Sequence, residues 1–228
     1  MRRLAFLLLL PILLSAKSTG VAASEVPCAI YRRVTTEERI VALTFDDGPH
    51  PRYTPAILDL LKQYGAKATF FVIGKNVELY GDVARRAAAE GHEIGNHTYA
   101  HPALAALQGN ELERELLEAE ALIEECTGKL PTLFRPPEGY CTGAVAEVVA
   151  RNGGKVILWS IDTEDWMGRT AEEIVNTVMR GVVPGAIVLF HDYVAHKSTT
   201  VEALKEILPR LCAAGYRFVT VSELLEYS

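Results

Sequence analysis

Apolar residues in this chain fall into short runs separated by longer amphipathic stretches. The runs Ile40–Thr44, Ala68–Ile73, Glu93–Gly95, Thr132–Arg135, Val156–Ser160, Ala186–Phe190 and Arg217–Thr220 read as strands. Several are continuously apolar or β-branched, as strands buried on both faces are. Between them, Thr54–Tyr64, Gly81–Ala89, Asn110–Cys126, Thr142–Arg151, Ala171–Met179 and Val201–Ala214 read as helices. Gly65, Gly91, Gly128, Gly153 and Gly215 follow these segments, where helix C-caps place glycine. In the longest helix, Leu112, Leu116, Ala119 and Ile123 make one apolar stripe, and the glutamates make a solvated face. Alternating strands and helices predict an α/β fold with a mostly parallel sheet. About seven such units suggest closure into a barrel, and no linker or repeat divides the region 38–228.

The N-terminus follows a different pattern. Arg2 and Arg3 precede an apolar stretch from Leu4 to Leu14 that only Pro11 interrupts, and Val21-Ala22-Ala23 ends a run of small residues. This predicts a signal peptide over 1–23, and hence a secreted protein in the cell-wall space. The apolar run is shorter than the ~20 residues that span a bilayer, so tethering by an uncleaved segment is the secondary expectation. No membrane contact is expected beyond this leader. Residues 24–37 read as an irregular N-terminal arm.

The chain has 228 residues, 49% hydrophobic and 23% charged, which is enough apolar material for one sizeable core. A net charge of -6 argues against a general nucleic-acid binder. Four cysteines (Cys28, Cys126, Cys141, Cys212) in an exported chain permit disulfides, and none has zinc-knuckle spacing.

The polar residues at the ends of the strands carry the chemistry. Asp46 and Asp47 follow the first strand, beside the Gly48-Pro49 turn. Adjacent carboxylates repel, and a nearby cation removes that cost. His97 and His101 are four apart, a spacing that aligns both rings if the segment makes a helical turn. One Asp and two His form a borderline-metal ligand set that leaves positions open for water and substrate. Arg135, Asp165-Trp166 and His191 follow later strands. In a parallel barrel these ends share one rim. Separately, each element has an ordinary structural explanation. Their common placement favours a metallohydrolase. The sequon Asn96-His97-Thr98 reads as coincidental, since a glycan there would obstruct His97.

In order, Thr44–Gly48, His97–His101, Arg135–Gly139, Asp165-Trp166 and Leu189-Phe190-His191 resemble the five motifs of the polysaccharide deacetylases, carbohydrate esterase family 4 or the NodB-homology domain. The resemblance runs from about Glu38 to Leu225. It implies a distorted (β/α)7 barrel, a divalent metal (zinc first, with cobalt or another divalent ion as alternatives) and hydrolysis of N-acetyl groups on amino sugars. By that resemblance Asp47, His97 and His101 are metal ligands, Asp46 the general base and His191 the general acid. Arg135 orients Asp46 and keeps it ionised, and Asp165 tunes His191. Trp166 and Leu189 form apolar walls for the acetyl methyl. The family has an aromatic where this chain has Glu138. The backbone N–H there can still serve an oxyanion, whereas the side chains of Glu138 and Tyr140 become expected substrate contacts.

Peptidoglycan is the expected substrate, because a bacterial-style leader delivers the enzyme to a wall. A chitooligosaccharide or an O-acetylated xylan are alternatives on the same site. A non-catalytic glycan-binding module is the rival of a different class, and a pure binder has no need of the acid, base and ligand set. No stable protein partner is implied.

Overall fold

The computed structural model describes residues 29–108, 110–194 and 197–228. The expected signal peptide, Cys28 and His196 therefore lie outside the described residues. Among those described, no helix is long and apolar enough to cross a membrane.

Among the described residues, nine strands form one sheet: β1 (Ile30–Tyr31), β2 (Ile40–Asp46), β3 (Thr69–Val72), β4 (Glu93–Asn96), β5 (Leu133–Phe134), β6 (Lys155–Ile157), β7 (Ile161–Asp162), β8 (Ala186–His191) and β9 (Arg217–Phe218). Their order is β1-β6-β5-β4-β3-β2-β8-β7, with β9 paired to β2. Every ladder is parallel. Seven α-helices among the described residues accompany the sheet: α1 (Tyr53–Gln63), α2 (Gly74–Ala89), α3 (Glu111–Thr127), α4 (Gly143–Arg151), α5 (Ala171–Gly181), α6 (Thr200–Ala213) and α7 (Val221–Leu225). The chain is thus a single α/β unit with the distorted-barrel architecture that the sequence predicts.

The distortion lies at one seam. β6 stands second from one end of the strand order and β7 at the other end, yet only residues 158–160 separate them in the chain. Leu158 N–H still bonds to Tyr31 O (2.7 Å), while Ser160 N–H already bonds to Ile187 O (3.0 Å). One bent segment therefore closes the ring, where a ladder would close a regular barrel. An isolated antiparallel bridge, Arg33 to Ala186, ties the other side of the gap.

The two-residue strand period divides the core. Along β2, Val41, Leu43 and Phe45 face outward into the large cluster with Ile57, Leu61 and Leu204 from α1 and α6. Ile40 and Ala42 face inward with Phe71, Leu133, Ile157 and Ile187. By the same alternation Thr44 and Asp46 continue the inward file up to the barrel mouth. Helix α7 closes the other end, with Val221 and Leu224 in the inner cluster and Ser222 N–H bonded to Glu93.

Four elements differ from the sequence expectation. The arm contains β1, and Val34 just beyond it is buried in the inner cluster. The run Val156–Ser160 is not one strand, because the bend separates β6 from β7. Helix α2 begins seven residues before Gly81 and kinks at Tyr80 (φ -136°, ψ 37°). Helix α7 starts at a capping box of Thr220 and Glu223, directly after the last strand.

Candidate active site

The residues expected as ligands, acid and base meet at the C-terminal mouth of the barrel. Asp46 ends β2 and is directly in register with His191 at the end of β8. Strand alternation would send the next side chain, Asp47, outward with Phe45. Instead Asp47 adopts a left-handed backbone (φ 73°), and both carboxylates reach the mouth. Asn76 Nδ2 donates to Asp47 O (2.6 Å) and holds that conformation.

His97 leaves β4, and its Nδ1 lies 2.6 Å from Arg135 O. A carbonyl only accepts, so Nδ1 carries the proton and Nε2 presents a bare lone pair. Burial lowers the His97 pKa, against the pull of Asp46 and Asp47, which favours the neutral ring that ligates a metal. The His97–His101 segment is not helical, contrary to the helical-turn expectation. It is a loop in which Thr98 (φ 70°) and His101 (φ 54°) are both left-handed. That path, and not an i,i+4 helical face, brings the imidazoles together with ring centroids 5.0 Å apart.

Asp47 Oδ1 lies 3.5 Å from both His97 Nε2 and His101 Nε2. The oxygen is buried and has no hydrogen-bond partner among the described residues. One ligand atom from each of the three residues falls within 4.8 Å of the others. A buried carboxylate oxygen without a donor, facing two imidazole lone pairs, fits a divalent cation and leaves little else to satisfy it.

Arg135 is fully buried beneath this group. Its Nη1 donates to Asp46 Oδ1 and to Thr44 Oγ1, both at 2.7 Å, and Nε and Nη2 donate to the Ile157 and Leu158 carbonyls. The guanidinium stacks 4.2 Å from the Phe71 ring centroid. Phe71 in turn occupies space that Gly95 leaves open, since a Cβ at Gly95 would lie 2.5 Å from Phe71 Cδ1. Burial lowers the Arg135 pKa and Asp46 counters it.

His191 is held by a separate carboxylate. Asp165 Oδ1 lies 2.7 Å from His191 Nδ1, and Asp165 Oδ2 accepts the His191 N–H and the Thr200 hydroxyl. Burial alone would lower the His191 pKa. The hydrogen bond and charge of Asp165, with Asp46 and Asp47 behind it, outweigh burial and raise it to about 9. The ring nitrogen that Asp165 does not engage is Nε2, the position from which a proton can be delivered.

A cleft of about 450 Å³ opens over Asp47 and His101 and is also lined by Ile73, Asn76, Trp166, Tyr193 and Val194. Trp166 thus stands where the sequence places an apolar wall, half exposed. Glu138, Tyr140 and Leu189 are not among these lining residues. Leu189 is buried one step below His191 on the same inward file, whereas Glu138 and Tyr140 are exposed. The 3-10 turn Pro137–Gly139 bonds the N–H groups of Gly139 and Tyr140 to Pro136 and Pro137. It leaves the Glu138 N–H without a partner among the described residues. A second cavity, about 320 Å³ and lined by His92, Glu93 and Lys129, contains none of the residues above.

Sequence reasoning missed the residues that hold the site in place. Asn76, Glu115 and Thr200 are distant in sequence from what they bind, so no local pattern marks them. Asn96 carried a signal of its own, the sequon. The structure buries it with its amide bonded on both sides, which leaves no room for a glycan. Cys126 and Cys212 are free thiols.

The family model described as polysaccharide deacetylase matches residues 33–157. A peptidoglycan-N-acetylglucosamine deacetylase from Bacillus cereus is 46% identical over 92% of this chain and 95% of its own. The crystal structure of a peptidoglycan N-acetylglucosamine deacetylase superposes with a TM-score of 0.84 at 37% identity, covering 88% of this chain and 94% of that one. A family 4 acetyl xylan esterase from Clostridium thermocellum, solved with a cobalt ion, gives 0.76 at 36% identity, covering 82% and 90%.

Proposed function

The chain belongs to the polysaccharide deacetylase family, and we propose that it is an exported, divalent-metal-dependent enzyme that removes N-acetyl groups from the amino sugars of peptidoglycan. One observation carries the catalytic part. Asp46, paired with Arg135, and His191, paired with Asp165, sit in register on adjacent strands beside a three-residue ligand set. A buried acid and a buried imidazole with opposite partners are what a base and an acid require. Peptidoglycan is supported by the Bacillus cereus relative, whose length this chain nearly matches. Export is supported by the basic, apolar and small-residue succession over 1–23.

Asp47, His97 and His101 would hold the cation, zinc before cobalt, which when bound polarises the amide carbonyl and acidifies water. Asp46 takes the proton of the attacking water, its carboxylate fixed by the Arg135 fork. The developing oxyanion receives the Glu138 N–H, the one donor of that turn not already engaged. His191 passes its Nε2 proton to the sugar nitrogen as the carbon–nitrogen bond breaks, so the products are acetate and a free amine. Asp165 holds the ring for that transfer and is not consumed. Trp166 closes the apolar side of the cleft.

Acetate release by metal-loaded protein from peptidoglycan, chitin oligomers and acetylated xylan tests this reading. Release from peptidoglycan above the other two is expected. Release from xylan alone would replace amide chemistry with ester chemistry, and release from none with metal bound would favour a binding module.

A further inference from the structure

Helix α3 contributes nothing to the chemistry, yet it grips the ligand-bearing loop at two consecutive residues. Glu115 is buried, and its Oε2 accepts the Ala100 N–H at 2.8 Å. Leu116 O accepts from Asn96 Nδ2 (2.9 Å), and Asn96 Oδ1 accepts the Thr98 N–H (2.8 Å). A further bond inside the loop, His101 N–H to Thr98 Oγ1 (3.0 Å), links the two left-handed residues. Those residues need such support. A β-branched threonine and a histidine at positive φ each sit in a sparsely populated region, which persists only where the surroundings over-determine it. Asn96 fixes the first of them. Glu115 fixes the peptide between Tyr99 and Ala100, directly before His101. Of the three ligand residues His101 has the most exposed side chain, 33% against 27% for Asp47 and 3% for His97, so packing holds it least.

We propose that Glu115 is the positioning residue for His101: by accepting the Ala100 N–H it locks the loop in the conformation that aims the imidazole at Asp47 and His97, and so sets the affinity of the cation site. The inference rests on the cation reading above. It concerns a hydrogen bond to the main chain, not a charge near the ion. That distinction fixes what substitutions should do. Glu115→Gln keeps an acceptor oxygen at the same reach. Glu115→Asp keeps the charge and withdraws the acceptor by one methylene.

The test is titration of the metal-free protein with cobalt(II), read by the visible d–d absorption and by the dissociation constant, with His101→Ala as reference. The wild type should bind one cobalt. Glu115→Gln should stay within about threefold of it. Glu115→Asp and Glu115→Ala should bind about tenfold or more weakly, a range typical of lost outer-sphere support, with spectra displaced towards that of His101→Ala. If Glu115→Ala fails to fold, the Gln and Asp pair decides alone. Equal binding by wild type and Glu115→Asp overturns this inference and leaves the cation reading intact. Equal loss in Gln and Asp also overturns it, because charge would then be the cause. Absence of cobalt binding by the wild type removes the cation reading, and this inference with it.

Discussion

Arg135 Nη1 donates to Asp46 Oδ1 at 2.7 Å where the arginine side chain is 0% and the aspartate 4% exposed. Opposite charges this deeply buried depend on each other, and removing one strands its partner. Arg135→Ala should therefore destabilise the fold by about 3–5 kcal/mol. Arg135→Lys retains a charge but loses the planar fork that serves four acceptors, as well as the stacking on Phe71. Denaturant unfolding should rank the proteins wild type, Lys, Ala. A lysine variant as stable and active as wild type would contradict this account.

Asp46→Asn preserves shape and still offers Arg135 an oxygen, and His191→Ala leaves the ligand set untouched. Both should fold and take up metal at wild-type stoichiometry. Turnover should fall by about 10²–10⁴-fold, the range for a missing acid or base. Metal analysis alongside acetate release checks both halves. Wild-type turnover in either variant removes that residue from its role.

The His191 pKa of about 9 has consequences of definite sign. In the metal-free protein, nuclear magnetic resonance titration should show the ring protonated through neutrality. Its folded pKa lies above the unfolded value of 6.5, so its stabilising contribution is complete below pH 6.5 and lost as pH rises through 9. The size is about 3 kcal/mol by linkage. Asp165→Asn should lower the ring pKa, flatten that stability profile and move the alkaline limb of kcat/KM to lower pH. An unchanged limb would detach Asp165 from the acid.

Gly95→Ala tests a longer connection. The added methyl meets the Phe71 ring, on whose face the Arg135 guanidinium stacks. The overpacking cost is about 1–3 kcal/mol. Because the displacement passes through Arg135 to Asp46, kcat should fall while KM holds. A loss of stability with kcat unchanged would show that the ring moves without the arginine.

Much of this was legible in the sequence, for physical reasons. Ile40–Thr44 and Ala186–Phe190 are buried on both faces, so composition alone marks them as strands. The residues proposed as acid, base and ligands stand at or just beyond strand ends, where chain position and spatial position coincide. The shape of the His97–His101 loop was not legible, because two left-handed residues without glycine leave no local signature. Nor was the bend between β6 and β7, which no glycine or proline marks, or the start of α2, where Gly74 and Asn76 are poor helix formers. Glu115, Asn76 and Thr200 act on residues 15, 29 and 35 positions away, a relation that only the fold creates.

The ring's closure by a bent piece of chain has a mechanical corollary. A ladder resists widening with every hydrogen bond it contains, whereas residues 158–160 meet the two edges of the gap through the Leu158 N–H to Tyr31 O and Ser160 N–H to Ile187 O bonds. Compliance therefore concentrates on that side, next to the lip that bears Asp165 and His191. Amide exchange at Trp159 and Ser160 is where a widening of the opening would first register.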